Sequence, residues 1–356
     1  MKVTAKTIAP CQQQLEIVLS AEAVAQAYDA VYRDIQREAV LPGFRKGKAP
    51  RDLLEKHHGQ AAKEEVLKRL IGDAIHQATE ERQWQLVGRC DVSAVQLDQA
   101  KGLQFVAEIE IAPEFALGAY TGLVLQRPSA DVTDADVNQV LSSLQEHHAQ
   151  MVPTGSGEEK QKQLPALDDA FAKDIGFESL ESLRKRVRLD AATQRQEEGR
   201  RALEQQLYDA LLTQVRFDVP PSLVERQAER LKRNLAARLL MQGMTEEQAK
   251  QEMAKFEQEL AVNAQRQVKL RFVLDRIAQE ERISVAQEDL VRHLWALANR
   301  TRQDPNALRR QLDEQGLWEA VAAEVRYEKT VDFLFKAAKI TEAAQPASAP
   351  PVVTPA

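Results

Sequence analysis

Along residues 2 to 19 apolar and polar positions alternate in places, and Leu15, Ile17 and Leu19 fall on one side of the alternation, the period of a half-buried strand. Ser20 then offers an N-cap. From Ala21 to about Ala39, Val24, Tyr28, Val31 and Ile35 recur every three or four residues and make one apolar stripe on a helix that ends before Pro42-Gly43. After the loop 41–50, the pattern predicts two further helices, at about 51–58 and 60–81, the second carrying Val66, Leu70 and Ile75. Strand-like stretches follow at about 84–97 and 103–111. Residues 1 to 112 therefore read β-β-α-α-α-β-β, an α+β domain with helices over one face of a small antiparallel sheet.

Residues 119–127 look extended, and Thr133 starts a short helix that fades after His148. The stretch PTGSGEEKQKQLP, 153–165, is Pro, Gly, Ser and charge with almost nothing apolar, the composition of a flexible connection. Beyond Leu167 the chain reads as long, charged amphipathic helices through Ile340, with almost no strand signal. Leu231, Leu235 and Leu239 repeat at four; Leu270, Val273, Leu274 and Ile277 fall at i, i+3, i+4, i+7, and Val331, Leu334, Phe335 and Ala338 repeat that pattern. Each stripe requires a partner helix. Pro220-Pro221 and Asp304-Pro305 mark helix boundaries. The Ala/Pro-rich end, 342–356, has nothing to build a core with and is expected to be disordered.

Composition narrows the function classes. With 44% hydrophobic content over 356 residues the chain can bury sizeable cores, and its net charge of −6 gives no global basic field for nucleic acid, so any such contact must be local and DNA is not an expected partner. Neither an N-terminal apolar segment nor a run of about 18 apolar residues occurs, so export and membrane spanning are not expected. Cys11 and Cys90, far apart and without a CxxC pattern, read as packing thiols in a reducing cytoplasm.

One local sequence asks for a functional explanation: Leu41-Pro-Gly-Phe-Arg-Lys-Gly-Lys-Ala-Pro50. Gly43 and Gly47 allow backbone angles closed to other residues, and the prolines stiffen the ends. Phe44, Arg45, Lys46 and Lys48 thus read as a docking tip, an aromatic anchor among cations that meet phosphates or carboxylates. Between Arg33 and Arg69 stand ten Lys or Arg against six Asp or Glu, so the surroundings agree in sign. On residue types alone the other reading stays open, a tight turn whose Phe44 folds back into the core.

The GFRKGKAP string, after an amphipathic helix and before another, resembles the ribosome-binding signature of the trigger factor family. Asp131-Val-Thr-Asp-Ala-Asp136, Asp218-Val-Pro-Pro-Ser-Leu-Val-Glu225 and Thr330-Val-Asp-Phe-Leu-Phe-Lys-Ala-Ala-Lys-Ile-Thr341 look like their counterparts there. The resemblance covers roughly 1–150 and 166–341. It implies an α+β N-terminal ribosome-binding domain (1–115), an extended segment with a linker helix (116–152), an elongated all-α chaperone domain (167–341) and a tail (342–356). Its ribosome-binding residues would be Gly43, Phe44, Arg45, Lys46, Gly47 and Lys48. Partners would be the ribosomal exit site, protein and RNA together, and nascent or unfolded polypeptides; whether free copies pair as homodimers is left open. The protein would be cytoplasmic and partly ribosome-associated.

The family commonly carries an FKBP-like prolyl-isomerase domain between the segments near Leu144 and Leu167, and such a domain needs about a hundred residues and an aromatic-lined pocket. Here the linker 153–166 stands in its place, and no Phe, Tyr or Trp occurs from Thr121 to Ala170, so the FKBP-like domain is expected to be absent and no isomerase activity is expected. In the helical part, Met241, Met244 and Met253 are candidates for adaptable client contacts, with an ordinary core role as the alternative.

Other chemistry finds no support. His57-His58 and His147-His148 are adjacent pairs that point to different helix faces. Thr154-Gly-Ser-Gly157 lacks a following GK[ST] and is linker rather than a phosphate loop. Acidic pairs such as Glu246-Glu247 and Glu280-Glu281 belong to solvated helix faces. There is no acid, base and nucleophile set, and nothing calls for ATP, a metal or another cofactor. Two readings from other classes remain beside the chaperone: a prolyl isomerase by family membership, and a helical scaffold or RNA-binding protein.

Overall fold

Alternation along the first strands places Leu15, Ile17 and Leu19 on the covered side of β2 (Gln12–Leu19), which pairs antiparallel with β1 (Lys2–Ala9) across a turn where Cys11 takes φ +62°. A computed structural model of the chain describes residues 1–39, 44, 48, 50–98, 100–153 and 160–342. The Ser20 hydroxyl accepts from Ala23 N–H and starts α1 (Ala21–Glu38), whose stripe of Val24, Tyr28, Val31 and Tyr32 is buried. Next comes α2 (Arg51–Glu80), a single 30-residue helix where the pattern predicted two. Gly59 lies inside it. A mid-helix glycine costs about 1 kcal/mol, but Leu54, Ala62 and Val66 are buried on both sides of it and hold the helix through.

β3 (Leu86–Asp98) and β4 (Gly102–Ile111) complete an antiparallel sheet of order β1-β2-β4-β3. The core lies where the sheet face bearing Leu15, Ile17, Phe105, Ala107 and Ile109 meets the apolar sides of α1 and α2. The N-terminal part is thus the expected α+β domain, in the order β-β-α-α-β-β.

The remainder is mainly helical. In order it holds β5 (Val124–Arg127), α3 (Asp134–His147), β6 (Gln150–Pro153), β7 (Lys160–Gln163), α4 (Asp169–Asp174), α5 (Leu180–Thr213), α6 (Pro221–Met241), α7 (Glu246–Lys255), α8 (Glu257–Glu280), α9 (Gln287–Thr301), α10 (Pro305–Gln315), α11 (Trp318–Ala337) and β8 (Lys339–Glu342). Packing divides the chain into two units, each drawn from two stretches: Met1–Ala116 with Val215–Arg276, and Leu117–Gln214 with Ile277 onward.

In the first unit the sheet holds the start of α6. Glu110, 6% exposed on β4, accepts from Ser222 N–H at 3.2 Å and from the Ser222 hydroxyl, and the 5% exposed Ser222 has its place only because residue 88 is glycine. Around this contact Arg89 pairs with Glu225 at 3.4 Å, the Cys11 thiol donates to Asp218 O at 3.2 Å, and Phe115 stacks on Phe217 with centroids 4.1 Å apart. Farther along, Lys232 pairs with Glu257 at 2.6 Å and Gln227 bonds Gln267, tying α6 to α8 along the half-buried stripe Leu231, Leu235 and Leu239.

In the second unit Val137 and Leu141 of α3, Phe171 of α4 and Leu183 and Val187 of α5 form one core, and Leu294, Ala298, Leu308 and Leu312 pack α9 on α10. The Thr133 hydroxyl and the Asp136 carboxylate close a capping box at the start of α3. Two strand pairs depart from the sequence pattern. β5 pairs parallel with β8, so Ile340 and Thr341 end the helical region in a strand. β6 pairs antiparallel with β7, where composition suggested an irregular connection; residues 154–159 lie outside the described residues. The predicted disorder at 342–356 also falls there, apart from Glu342, which pairs with Arg127.

Candidate functional site

Two places take up the predicted site residues, and both lie in the first unit. The first is the connection between α1 and α2. Its return is anchored at Arg51, which bonds Asp29 and Glu55 (2.9 Å) and lies over the Tyr32 ring at 5.2 Å, so the chain leaving α1 comes back to the middle of the same helix. Arg69 bonds Asp34 at 2.8 Å and Glu65 at 2.7 Å, and its hydrogen bond holds the Asp34 carboxyl below the usual range. Arg37 also lies 3.8 Å from Asp34.

These pairings sort the local cations by role. Arg37, Arg51 and Arg69 serve contacts within the domain, whereas Lys48, Lys56, Lys63 and Lys68 are exposed with no ion pair among the described residues. Phe44 is 40% exposed, so its ring does not belong to the core formed by the sheet and α1–α2. Gly43, Arg45, Lys46 and Gly47 lie outside the described residues. What the described residues present here is an aromatic ring and unpaired lysines, a set that suits an anionic partner surface with an apolar niche.

The second place is the far end of the α6–α8 helices. Met241 is 89% exposed at the last turn of α6, next to Leu240 at 45%, while Phe256 between α7 and α8 is 43% exposed. Met244 and Met253, the other predicted contacts, are half-buried. The structure therefore separates Met241 from its two companions and adds Leu240 and Phe256. In the sequence, Leu240 is marked by falling outside the Leu231–Leu235–Leu239 stripe, whereas Phe256 carries no such mark.

The remaining chemistry-bearing residues stay dispersed. Among the described residues no three His, Cys, Asp or Glu side chains come together as a metal site, and no helix is long and apolar enough to cross a membrane. His148 meets the edge of the Phe171 ring at 6.0 Å. Cys90, read as a packing thiol, is exposed on the edge strand β3, because β3 carries little of the helix-covered face; Cys11 is half-buried. Burial, with Asp218 and Glu110 adding to it, pushes the Cys11 thiol up to about 11.

Comparison with known proteins places this arrangement. The family model described as bacterial trigger factor protein matches residues 1–144, and the model of the trigger factor C-terminus matches 179–336. The trigger factor of Desulforamulus reducens is 26% identical, with 96% of this chain and 99% of that protein covered; that of Moorella thermoacetica is 27% identical, with 95% of each covered. A solved chain from work on promiscuous substrate recognition in folding and assembly by the trigger factor chaperone aligns with TM-score 0.48 and 21% identity, over 94% of this chain and 99% of that one.

The alignment with the Desulforamulus protein runs over 430 positions, more than the 356 residues present here, so that relative carries a segment this chain lacks. Neither family model covers 145–178, where β6 and β7 meet. With both family models matched in order and the gap falling where the linker was read, the chain belongs to the trigger factor family of ribosome-associated chaperones, in a form without the FKBP-like domain.

Proposed function

We propose that the 43–48 loop docks this chaperone at the ribosomal exit site and that the exposed end of α6–α8 meets nascent or unfolded polypeptide. The observation behind docking is the 40% exposed Phe44, four residues before Lys48, which has no acidic partner among the described residues; an aromatic anchor with cations at its rim has the make-up of an interface hot spot. Phe44 enters an apolar niche; Arg45, Lys46 and Lys48 meet rRNA phosphates or acidic side chains at its rim. Met241, with Leu240 and Phe256, supplies many small apolar contacts in place of one shaped pocket, which allows weak binding without sequence preference. Met244 and Met253 back this surface from half-buried positions.

Release of clients needs no nucleotide, because the binding is weak and tethering on the ribosome supplies the effective concentration. No prolyl isomerisation accompanies it, since the segment between the two matched regions is too short for an aromatic-lined domain of about a hundred residues. The protein works in the cytoplasm. Cosedimentation with 70S ribosomes at moderate salt tests the docking: wild type pellets, and Phe44→Ala/Arg45→Ala/Lys46→Ala stays in the supernatant with an unchanged circular dichroism spectrum. Equal pelleting of the triple variant, with loss spread evenly over any lysine removed, would favour a non-specific RNA-binding scaffold instead.

A further inference from the structure

The start of α2 lacks the device that starts its neighbours. α1, α3, α5 and α7 begin on a side chain that accepts from a free amide of the first turn, Ser20, Thr133, Ser179 and Thr245, whereas Pro50 at the head of α2 offers no such acceptor. The first fully buried side chain after it is Leu54. Between the two stands Arg51, whose guanidinium bonds Glu55 one turn on at 2.9 Å, bonds Asp29 in the middle of α1, and lies over the buried Tyr32 ring at 5.2 Å. A contact to the other helix and to its aromatic ring thus stands where a cap would be.

Chain length makes this contact matter. α1 ends at Ala39, whose N–H donates to Ile35 O at 2.7 Å, and Asp29 lies about 15 Å back along the helix axis from there. The residues 40–50 could span up to about 36 Å, so length alone does not decide where the chain returns to α1. The Arg51–Asp29 bond decides it, and Phe44 and Lys48 stand between that point and the end of α1. We infer that Arg51 is the positioning residue of the docking loop: it pins the returning end to α1, so that less ordering of Phe44 and Lys48 is left for binding to supply. This rests on the docking reading of Phe44 and deepens it. Arg69 gives a matched comparison, because it joins the same two helices through Asp34 at 2.8 Å and Glu65 at 2.7 Å, with similar exposure, but stands about five turns farther along α2.

The test is the affinity of the labelled full chain for 70S ribosomes at moderate salt, compared among wild type, Asp29→Asn, Arg51→Gln, Arg69→Gln and Phe44→Ala, with the first two substitutions also made in the Phe44→Ala background. Exposed ion pairs and a cation–π contact are individually modest, so Arg51→Gln, which removes all three contacts, is expected to weaken binding about tenfold and Asp29→Asn about threefold. The sign of the second result is diagnostic. Asp29→Asn removes a negative charge beside a cationic loop, so charge alone would tighten binding to an anionic surface, whereas loss of positioning weakens it. Asp29 is half-exposed, and asparagine keeps its shape, so this variant folds; circular dichroism checks each protein. Arg69→Gln should lower thermal stability about as much as Arg51→Gln yet bind within twofold of wild type. In the Phe44→Ala background, Asp29→Asn and Arg51→Gln should lose most of their effect, because they act through the loop. Unchanged or tighter binding by Asp29→Asn, an equal loss in Arg51→Gln and Arg69→Gln, or an undiminished loss in the Phe44→Ala background would each overturn the positioning role. The two levels fail separately: if Phe44→Ala weakens binding and Asp29→Asn does not, positioning alone falls; if Phe44→Ala binds as wild type does, the docking reading falls and takes this inference with it.

Discussion

Replacing Ser222 by alanine removes one hydroxyl from the contact by which the N-terminal sheet holds α6. The Glu110 carboxylate is 6% exposed, and its donors are Ser222 N–H, the Ser222 hydroxyl, Arg89 N–H at 3.4 Å and Gln12 Nε2 at 3.4 Å. No cation sits in this set, so the hydroxyl is one of few close donors to a carboxylate shut off from water. Hydrogen bonds to charged groups contribute about 1.5–3 kcal/mol, and a buried acceptor left short of a donor cannot recover that from solvent. Ser222→Ala should therefore cost about 2 kcal/mol, which in a unit of this size lowers its melting temperature by about 4–8 °C. Gly88→Ala should do at least as much harm, since the added Cβ runs into the Glu110 carboxylate and comes within 2.8 Å of Ser222 Oγ. The assay is thermal unfolding by circular dichroism combined with hydrogen exchange of the α6 amides, where local loosening shows before global melting. Were Ser222→Ala to melt within a degree of wild type with α6 protection intact, the carboxylate would have to be satisfied some other way and the reasoning would fail.

Two further outcomes follow from the same structure. Hydrogen bonds from Thr133, with Arg195 2.8 Å away, hold the Asp136 carboxyl below the usual range, so its contribution is present above about pH 4 and lost as pH falls through the depressed value; Asp136→Asn should flatten the acid limb of α3 unfolding measured by hydrogen exchange, and an unaltered limb would refute this. Burial raises both thiols, with Asp91 adding at Cys90, but only Cys11 is pushed as far as about 11 and it is also the less exposed, so it should react with a thiol reagent at neutral pH more slowly than Cys90, and Cys90→Ser should leave only the slower phase; a fast phase persisting in that variant would contradict the reasoning.

The elements with the strongest period were legible in the sequence, because one residue in two or in three and a half faces a core: β2, α1, the 270–277 stripe and the caps at Ser20 and Thr133 all stand where the pattern puts them. Gly59 misled because a glycine inside a helix costs less than the burial on either side of it returns. β8 was hidden because Lys339 to Glu342 continue the polarity of α11, and only pairing with β5, more than two hundred residues earlier, makes them a strand. The Glu110–Ser222 contact carries no periodic signal for the same reason. For the site, Phe44 and Lys48 stood out because an aromatic between cations and glycines has no ordinary helical role.

The pairing of β6 with β7 has an architectural consequence. Pro153 and Lys160 are opposite partners in an antiparallel ladder, so the chain leaves and re-enters this position about 5 Å apart. A domain whose own two ends lie close together can be spliced in or cut out there while α3 and α4 keep their places, because the scaffold meets only the two ends and not what lies between them. The ladder acts as a socket, and a family can fit it or leave it empty without redesigning the rest of the protein.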